Sequence, residues 1–485
     1  MREKIFLDGK KNIHFIGIGG ISMSGLAEIL HRDGFNVSGS DDVETEITRH
    51  LARLGIKISV PNAAKNILDE HELVVFTAAV KKENPEFVAA SQKQIELIER
   101  AAFIGKILKG YDPICVAGSH GKTTTTSMIS EILIASGHDP TVSVGGIMNS
   151  VGVNYRIGST KNFVLEACEY SNSFHHWQPL IGVILNIDAD HLDFFGSMDN
   201  LILSFEKFAS NIRPDGALIV NENVEINPRC EKCEKISFGI KNSARFHAKN
   251  IFYDEGKPSF DVFDGENFLA HVDLPLPGEY NLLNALAAFA ATTQMKIPPQ
   301  IIAGALNNAR GTKRRFEHKG EFDGIKIIDD YAHHPTEIVA CLKAARQSAS
   351  GRIFCLFQPH TYTRTKNLLH DFAKSFCDAD FVILLPIYAA REPNDPTVSS
   401  EILAAQIKNY ICEVEKNSQN KNPRLENELS YTKKNECSNV KFVKSFDEAC
   451  NFLNDTLVSG DLLITMGAGD VFKVGDEILR KKLST

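Results

Sequence analysis

The chain has 485 residues, of which 43% are hydrophobic and 24% are charged, and its formal net charge is −8 at pH 7. This composition is typical of a globular protein of about three domains, and the acidic balance gives no basic surface for nucleic acid. The N-terminus lacks the apolar stretch of a signal peptide and the longest apolar runs are too short to span a bilayer, so we expect a cytoplasmic protein without nucleic-acid or membrane partners.

The first third of the chain alternates short apolar strands with helices, a pattern that predicts a doubly wound parallel sheet. The predicted elements are a strand at Asn12–Ile18, a helix from Ser22 to Leu30, and strands near Asn36–Ser38 and Leu73–Thr77.

The loop GIGGISMSG, after the first strand, resembles a dinucleotide-binding fingerprint. Gly17 and Gly19 are in place, but Ser22 stands where the third glycine would fall. Asp41 follows the second strand and could accept a hydrogen bond from a ribose hydroxyl. A tight turn with an ordinary surface aspartate is the open alternative. The loop therefore predicts a nucleotide rather than NAD in particular.

The stretch ICVAGSHGKTTTTS, at Ile114–Ser127, predicts a strand, a glycine loop and a helix through Ala135. Glycines let main-chain N–H groups converge, and the helix N-terminus and Lys122 add positive charge, so the loop predicts a polyphosphate site. Thr123 supplies the hydroxyl that such loops place on Mg²⁺. A plain glycine turn before a helix is the alternative, but it does not account for the lysine and the four threonines.

Two further apolar strands end in polar side chains. VLEACE delivers Glu166, and IGVILNIDADH delivers Asn186, Asp190 and His191. Hard oxygen ligands with one imidazole beside a phosphate loop suit Mg²⁺, or Mn²⁺, bridging to ATP. Solvated glutamates and a capping histidine are the alternatives.

The last third again alternates strands and helices, with polar side chains after the strands. Glu413–Val440, rich in Lys, Asn and Glu, is predicted to be a mobile insertion. The predicted strands are Lys326–Asp329, Ile353–Phe357, Phe381–Leu385 and Leu462–Thr465, and the residues that follow strands include Tyr331, His333, His334, His360 and Arg364.

Seven motifs occur in the order seen in the Mur ligases: GSHGKTTTT, EACEYSNSF, NIDADHLDFFG, GEYNLLNALAA, GTKRRFE, DDYAHHPTE and QPHTYTRT. The chain resembles this family from about Ile13 to Gly469, and most closely the members that join L-alanine to UDP-N-acetylmuramate. The resemblance implies an α/β fold of three domains: a Rossmann-like UDP-sugar-binding domain (1–107), a central P-loop ATPase domain (108–312) and a Rossmann-like amino-acid-binding domain (313–485).

The resemblance also implies roles for single residues. The implied ATP-binding residues are Gly118, Ser119, His120, Gly121, Lys122, Thr123, Thr124, Asn281, Asn284, Arg315 and Asp330, and the metal ligands are Thr123, Glu166 and His191. The amino-acid-binding residues are Tyr331, His360 and Arg364, and the UDP-sugar-binding residues are Gly17, Gly19, Gly20, Ser22 and Asp41. Lys122, His191 and Arg315 are the predicted catalytic residues. Two alternatives to these roles remain. Arg314 and Arg315 could be a solvated basic pair, and Arg364 could be a surface residue.

The implied reaction starts with transfer of phosphate from ATP to the lactyl carboxylate of the UDP-sugar. The amine of L-alanine then attacks the acyl phosphate, and His333 or His334 is a possible proton acceptor. Three residues of this chain differ from those of the better-known members of the family. Cys168 replaces an aspartate, Tyr170 replaces a serine, and Thr361 replaces a residue that is often arginine. A sister ligase, a nicotinamide-dependent oxidoreductase and a nucleotide-gated binding protein are the alternative functions.

Overall fold

The computed structural model describes residues 5–227, 233–419 and 439–483. Over these residues the protein is α/β with three β-sheets, which confirms the predicted fold class. The chain divides into two compact units. Unit 1 comprises Met1–Asn250, Phe260–Val272 and Leu283–Arg310, and unit 2 comprises Ile251–Ser259, Asp273–Leu282 and Gly311–Thr485. The limits of the three predicted domains stay a prediction.

The first sheet has five parallel strands in the order β3-β2-β1-β4-β5. Strand β1 pairs with β2 on one side and with β4 on the other, so the order of the strands reverses at β1. Doubly wound sheets bind ligands at the carboxyl end of the strand at which this reversal occurs. The strands are β1 (Asn12–Ile16), β2 (Asn36–Ser40), β3 (Lys57–Ser59), β4 (Leu73–Phe76) and β5 (Glu96–Glu99), and the helices are α1 (Ile21–Arg32), α2 (Glu46–Arg53), α3 (Pro85–Gln92) and α4 (Arg100–Leu108).

The second sheet has ten strands in the order β15-β14-β13-β12-β11-β10-β6-β9-β7-β8. Its centre is parallel, with β6 between β9 and β10. The strands are β6 (Asp112–Ala117), β7 (Thr141–Ser143), β8 (Tyr155–Arg156), β9 (Asn162–Glu166), β10 (Ile181–Ile184), β11 (Ala217–Asn221), β12 (Glu234–Gly239), β13 (Phe246–Asp254), β14 (Lys257–Asp264) and β15 (Asn267–Asp273). The helices are α5 (Lys122–Ala135), α6 (Leu192–Phe195), α7 (Met198–Ser210), α8 (Glu279–Thr293) and α9 (Pro299–Asn307).

The third sheet has six strands in the order β16-β17-β21-β18-β19-β20, and its pairs are parallel except for β16 with β17. The strands are β16 (Glu317–Phe322), β17 (Ile325–Asp330), β18 (Ile353–Phe357), β19 (Phe381–Leu384), β20 (Val440–Phe442) and β21 (Leu462–Met466). The helices are α10 (Pro335–Ser348), α11 (Tyr362–Asn367), α12 (Leu369–Lys374), α13 (Ser400–Gln419), α14 (Phe446–Thr456) and α15 (Phe472–Leu483).

The central strands of each sheet are buried on both faces, which explains why they read as continuous apolar runs. The predicted strands β1, β2, β4, β18, β19 and β21 and helix α1 are confirmed to within two residues at either end. The predicted insertion falls largely on residues 420–438, which lie outside the described residues. In the described part of the chain, none of the helices combines the length and the apolar character needed to cross a membrane.

Candidate functional site

The predicted phosphate loop, Gly118–Thr124, connects the carboxyl end of β6 to the first turn of α5. Its backbone needs glycine at two positions. Gly118 and Gly121 have φ of 142° and 83°, and a Cβ on Gly121 would lie 2.5 Å from Asn284 Oδ1. Gly121 is the N-cap of α5, so the N–H groups of the first helical turn begin at this loop.

The loop is held by residues that follow β10, the strand beside β6. The side chain of Asn186 forms two hydrogen bonds with the main chain of His120. Its Oδ1 accepts from the N–H at 2.8 Å, and its Nδ2 donates to the carbonyl oxygen at 3.1 Å. Ser119 Oγ accepts from the N–H of Asp188 at 2.8 Å, and Asp188 Oδ2 lies 3.0 Å from His120 Nε2. We expected Asn186 near a metal ion, whereas the structure shows its side chain fixing the loop backbone.

Lys122 points to a buried carboxylate. Its Nζ lies 3.0 and 3.2 Å from the two oxygens of Glu169, which is 1% exposed, and also donates to Gly118 O and, at 3.1 Å, to Ser119 O. Burial is the largest single influence and lowers the pKa of Lys122, but the charge and hydrogen bond of Glu169, together with Cys168 and Glu166, outweigh burial, so the pKa lies above its usual value. Lys122 therefore remains a cation beside the loop.

The three predicted metal ligands lie around the ends of neighbouring elements. Thr123 is buried in the first turn of α5, and Glu166, at the end of β9, accepts from the N–H of Gly145 at 2.7 Å. His191 has a positive φ of 56°, and its Nε2 is 3.9 Å from Glu169 Oε1. A hydroxyl, a carboxylate and an imidazole are ligands that suit Mg²⁺ or Mn²⁺. Over the described residues no group of three or more His, Cys, Asp or Glu side chains forms a metal-binding cluster.

The predicted adenine contacts, Asn281 and Asn284, lie on α8 and are 4% and 5% exposed. Within unit 1, Asn284 meets the phosphate loop through its contact with Gly121. Within unit 2, the side-chain amide of Asn281 donates to Pro277 O at 2.8 Å. Their role toward adenine stays a prediction.

The glycine loop after β1 is held by the end of β2. The N–H of Gly17 donates to Ser40 O at 2.8 Å, and that of Gly19 donates to Asp41 Oδ2 at 2.9 Å. A Cβ on Gly19 would lie 2.8 Å from the same carboxylate oxygen, so this close approach needs glycine. The other predicted UDP-sugar contacts are Gly20, the N-cap of α1, and Ser22, whose Oγ accepts from Arg100 at 3.2 Å.

In unit 2, Arg314 and Arg315 are partly buried, with side chains 22% and 29% exposed, so neither is a fully solvated basic side chain. Arg314 donates to Asp329 Oδ2 at 3.1 Å. The Arg315 guanidinium lies 5.0 Å from the centre of the Tyr331 ring, with one nitrogen 4.0 Å from Glu337. Arg315 is therefore a cation held by an aromatic face and a carboxylate.

Asp330, the predicted ribose contact, is buried at the end of β17. Both carboxylate oxygens accept from main-chain N–H groups at 2.7 Å, one from Phe316 and one from Ala332. Burial nevertheless raises the pKa of Asp330 to about 6, although Arg315 and these hydrogen bonds act in the opposite direction.

The predicted amino-acid-binding residues form a cluster of rings with one guanidinium. His333 lies 5.4 Å from Tyr331 and 5.8 Å from His360, between ring centres, and His360 stacks on Tyr388 at 5.7 Å. Arg364 Nη1 donates to His360 Nδ1 at 3.2 Å. Burial, and then the charge of Arg364, lower the pKa of His360, so this ring favours the neutral form.

Thr361 is the N-cap of α11, and its φ of 66° is uncommon for a β-branched residue. Its Oγ1 accepts from the N–H of Arg364 at 3.4 Å. The residue that departs from the family pattern thus occupies a strained turn that starts the helix carrying Arg364.

Several residues that contact predicted site residues were not predicted as site residues, among them Glu169, Glu337, Asn186 and Tyr388. Glu169 stands three residues after Glu166 in EACE, and Glu337 stands three residues after His334, as in a capping box, so each had a sequence signal. The other two are Asn186, for which the sequence suggested a different role, and Tyr388, for which the sequence gave no signal.

Three family models match successive parts of the chain: Mur ligase family, catalytic domain, over residues 12–112; Mur ligase middle domain over 116–292; and Mur ligase, glutamate ligase domain, over 314–469. The chain is 45% identical over 480 residues to the UDP-N-acetylmuramate–L-alanine ligase of Clostridium novyi, with 98% of both chains covered. It is 45% identical over 479 residues to the enzyme of the same name from Agathobacter rectalis, covering 97% of this chain and 98% of that one. Among solved structures, the UDP-N-acetylmuramate-alanine ligase of Thermotoga maritima is similar, with a TM-score of 0.76, 28% identity and coverage of 98% and 99%.

Proposed function

Since this chain belongs to the Mur ligase family, we propose that it is an ATP-dependent ligase that joins L-alanine to the lactyl carboxylate of UDP-N-acetylmuramate. The product would be UDP-N-acetylmuramoyl-L-alanine, a peptidoglycan precursor, formed with ADP and phosphate. The proposal keeps the predicted cytoplasmic location and needs only small-molecule partners. Its support is the similarity to UDP-N-acetylmuramate–L-alanine ligases that match nearly the whole chain.

The observation that carries the proposal is the geometry of the phosphate loop with Lys122. Successive residues of the loop are fixed from outside by Asn186 and Asp188, so its main chain is preorganised before a ligand arrives. A lysine cation and a helix N-terminus at one loop are the features that favour a nucleoside triphosphate. Such a site would bind ATP, the phosphate donor. A carboxylate has to be phosphorylated before an amine can attack its carbon.

For the first step, Lys122 would leave part of its contact with Glu169 and donate to the phosphate oxygens, which would stabilise the charge on the transferred group. Mg²⁺, held by Thr123, Glu166 and His191, would supply further positive charge at these oxygens. Asn186 and Asp188 would keep the loop N–H groups in place during transfer. Arg315 and Asp330 stay proposed contacts to phosphate and ribose, and Asn281 and Asn284 stay proposed contacts to adenine.

For the second step, Arg364 is the proposed partner of the L-alanine carboxylate. A guanidinium can give two parallel hydrogen bonds to a carboxylate. His360 occupies one nitrogen of this guanidinium and restricts its orientation. The rings of Tyr331 and His360 are the proposed neighbours of the small methyl side chain. The loop at Gly17–Gly20, with Ser22 and Asp41, is proposed to bind the UDP-sugar.

The test is release of phosphate from ATP by the purified protein with UDP-N-acetylmuramate and each amino acid in turn, together with detection of the amide product. We expect the highest kcat/KM with L-alanine. A higher value with another amino acid or a peptide would indicate a sister ligase. Reduction of a nicotinamide without ATP consumption would indicate an oxidoreductase, and nucleotide binding without phosphate release would indicate a nucleotide-gated binding protein.

A further inference from the structure

Within unit 1, Tyr155 connects helix α1 of the first sheet to the second sheet. It lies on β8, the strand at one edge of the second sheet. Its ring packs against α1 so closely that a Cβ on Gly25 would lie 3.1 Å from it. A larger residue at position 25 would have to push the ring away, so glycine is what lets α1 approach β8. The phenol oxygen of Tyr155 donates to Glu28 Oε2 at 2.9 Å, three residues further along α1.

Glu28 is a buried carboxylate, 4% exposed, that receives Tyr155 together with two partners from its own sheet. Arg32 donates to Glu28 Oε1 at 2.6 Å, and His50 Nε2 of α2 lies 3.5 Å from Glu28 Oε2. Burial, and then the hydrogen bond to Glu28, raise the pKa of Tyr155, so the phenol keeps its proton and donates. Removing this donor would leave a buried carboxylate short of a partner, which is costly. The hydrogen bond therefore ties α1 firmly to β8.

This α1–β8 joint, formed by Gly25, Glu28 and Tyr155, lies between elements that lead to both candidate binding loops. On one side, α1 begins at Ile21, directly after the candidate UDP-sugar loop Gly17–Gly20. On the other side, β8 pairs with β7, β7 with β9, and β9 with β6, the strand that leads into the phosphate loop. Since helices and paired strands move as stiff elements, a shift at the joint would change the position of one loop relative to the other.

A small cavity lies beside the Tyr155 ring, between α1 and the second sheet. The side chains that line a cavity lack contacts on that side. Packing alone therefore fixes α1 less well here than it would in a filled interior, and directional contacts such as the Tyr155 hydrogen bond matter more. The residues that line this cavity include Ser22, Ile29, Ile104, Val142, Tyr155 and Leu165.

We propose that Tyr155 is a positioning residue for phosphate transfer, which holds the UDP-sugar loop in the place, relative to the phosphate loop, that brings the lactyl carboxylate to the terminal phosphate of ATP. This inference rests on the proposed function. In the step concerned, a carboxylate oxygen bonds to the terminal phosphorus, the bond from that phosphorus to the bridging oxygen breaks, and ADP leaves with that oxygen. Tyr155 acts through the two loops rather than on the reacting atoms. Transfer between bound groups depends steeply on alignment, and misplacement by about 1 Å can cost on the order of 10²-fold in rate.

The test isolates this first step by replacing L-alanine with hydroxylamine, which converts the acyl phosphate to a hydroxamate. Tyr155→Phe removes the hydroxyl and keeps the ring on Gly25. With saturating ATP and UDP-N-acetylmuramate, the variant is expected to form hydroxamate about 10–10²-fold more slowly than the wild type. The Kd of each substrate alone, measured by calorimetry, is expected to stay within about twofold, because each loop keeps its own contacts. A loss of rate with both Kd values retained is not expected from a general loss of structure.

A second variant changes the same joint without touching the hydroxyl. Gly25→Ala places a Cβ against the Tyr155 ring and is expected to lower the saturated rate of hydroxamate formation, again with both Kd values retained. Tyr253→Phe, which removes the hydroxyl of a partly buried tyrosine on β13, is the matched control and is expected to keep the wild-type rate.

The outcomes separate this inference from the proposed function. Wild-type protein that forms neither hydroxamate nor amide would refute the ligase proposal, and the positioning role with it. Wild-type protein that forms both, with Tyr155→Phe and Gly25→Ala at the wild-type hydroxamate rate, would refute only the positioning role. A rise in the Kd of one substrate would assign Tyr155 to the binding of that substrate, and loss of both binding events would assign it to folding. Either result would overturn the inference.

Discussion

The phosphate loop in unit 1 and the ring cluster in unit 2 are built on different principles. In the loop, the groups that would meet a ligand are mainly main-chain N–H groups, and outside side chains hold that main chain in shape. In the cluster, the groups are side chains that orient one another, as Arg364 orients His360 and Glu337 orients His333. The comparison teaches that a phosphate site can be specified over a few consecutive residues, whereas the ring cluster draws on three separate segments, near 331–337, 360–364 and 388.

The largest effect is expected from Lys122→Ala, which removes the lysine cation that the loop itself carries. Loss of an electrostatic contact to the transferred group should lower kcat at least about 10²–10³-fold, because the charge that develops in transfer loses its partner. Binding of UDP-N-acetylmuramate, measured by calorimetry, should persist. Lys241→Ala, at an exposed lysine in the same unit, is the control. Near-normal turnover, or loss of sugar binding, would show that the loop does not act as described.

Asn186→Ala tests whether the loop is held from outside. The variant removes both hydrogen bonds to the main chain of His120 and leaves two partly buried main-chain groups without these partners, at no more than about 1–3 kcal/mol each. ATP affinity should fall about 10–100-fold, since each 1.4 kcal/mol corresponds to a factor of about ten. Fluorescent-nucleotide titration measures this change, with exposed Asn223→Ala as the matched control. Unchanged affinity would mean that the glycines alone determine the loop conformation.

The same contrast explains what the sequence could predict. Glycine positions, the lysine and the strand before them define the phosphate loop, because a backbone conformation with φ of 142° and 83° restricts residue type at those positions. The alternating pattern of apolar strands and helices also predicted the sheets. The sequence placed Asn186 correctly just after a strand. An asparagine in that place can either coordinate a metal ion or form hydrogen bonds with a main-chain amide, and the sequence pattern does not distinguish the two.

The ring cluster was less predictable for a physical reason. The tautomers of His333, His334 and His360 depend on which donor or acceptor lies beside Nδ1, and those partners come from the folded arrangement. Tyr388 meets His360 through an isolated parallel bridge at a distance of 28 residues along the chain, without any motif around it. The family resemblance predicted the positions, while the folded structure is needed to assign proton donors and acceptors.

Arg364→Lys tests the side-chain geometry of the cluster. Lysine keeps the positive charge but cannot give the paired hydrogen bonds of a guanidinium or hold His360 in the same way. The KM for L-alanine should rise about tenfold, consistent with loss of one charged hydrogen bond, while ATP affinity stays unchanged. Steady-state kinetics with each substrate varied in turn would measure this split. The control is Arg480→Lys, at an exposed arginine of α15, and a parallel rise in the KM for ATP would argue against an amino-acid contact.

The last expected effect, that of Asp330→Asn, is measured on stability rather than on turnover. Burial raises the pKa of Asp330 from 3.8 to about 6 in the folded protein. Between about pH 4 and pH 6, the folded state therefore binds the Asp330 proton more strongly than the unfolded state does. The contribution of Asp330 is fully present below pH 4 and is lost as the pH rises through 6, by on the order of 2 kcal/mol.

The Asp330→Asn variant would lack this pH dependence, because an amide does not titrate in that range. The difference in free energy of unfolding between wild type and Asp330→Asn, followed by denaturant titration, should change by on the order of 2 kcal/mol between pH 4 and pH 6 and stay constant above. Asp323→Asn, at an exposed turn in the same unit, should show no such change. A flat difference for Asp330 would mean that the two main-chain N–H groups and Arg315 offset its burial completely. The carboxylate would then resemble the phosphate loop, in which main-chain hydrogen bonds determine the behaviour of the site.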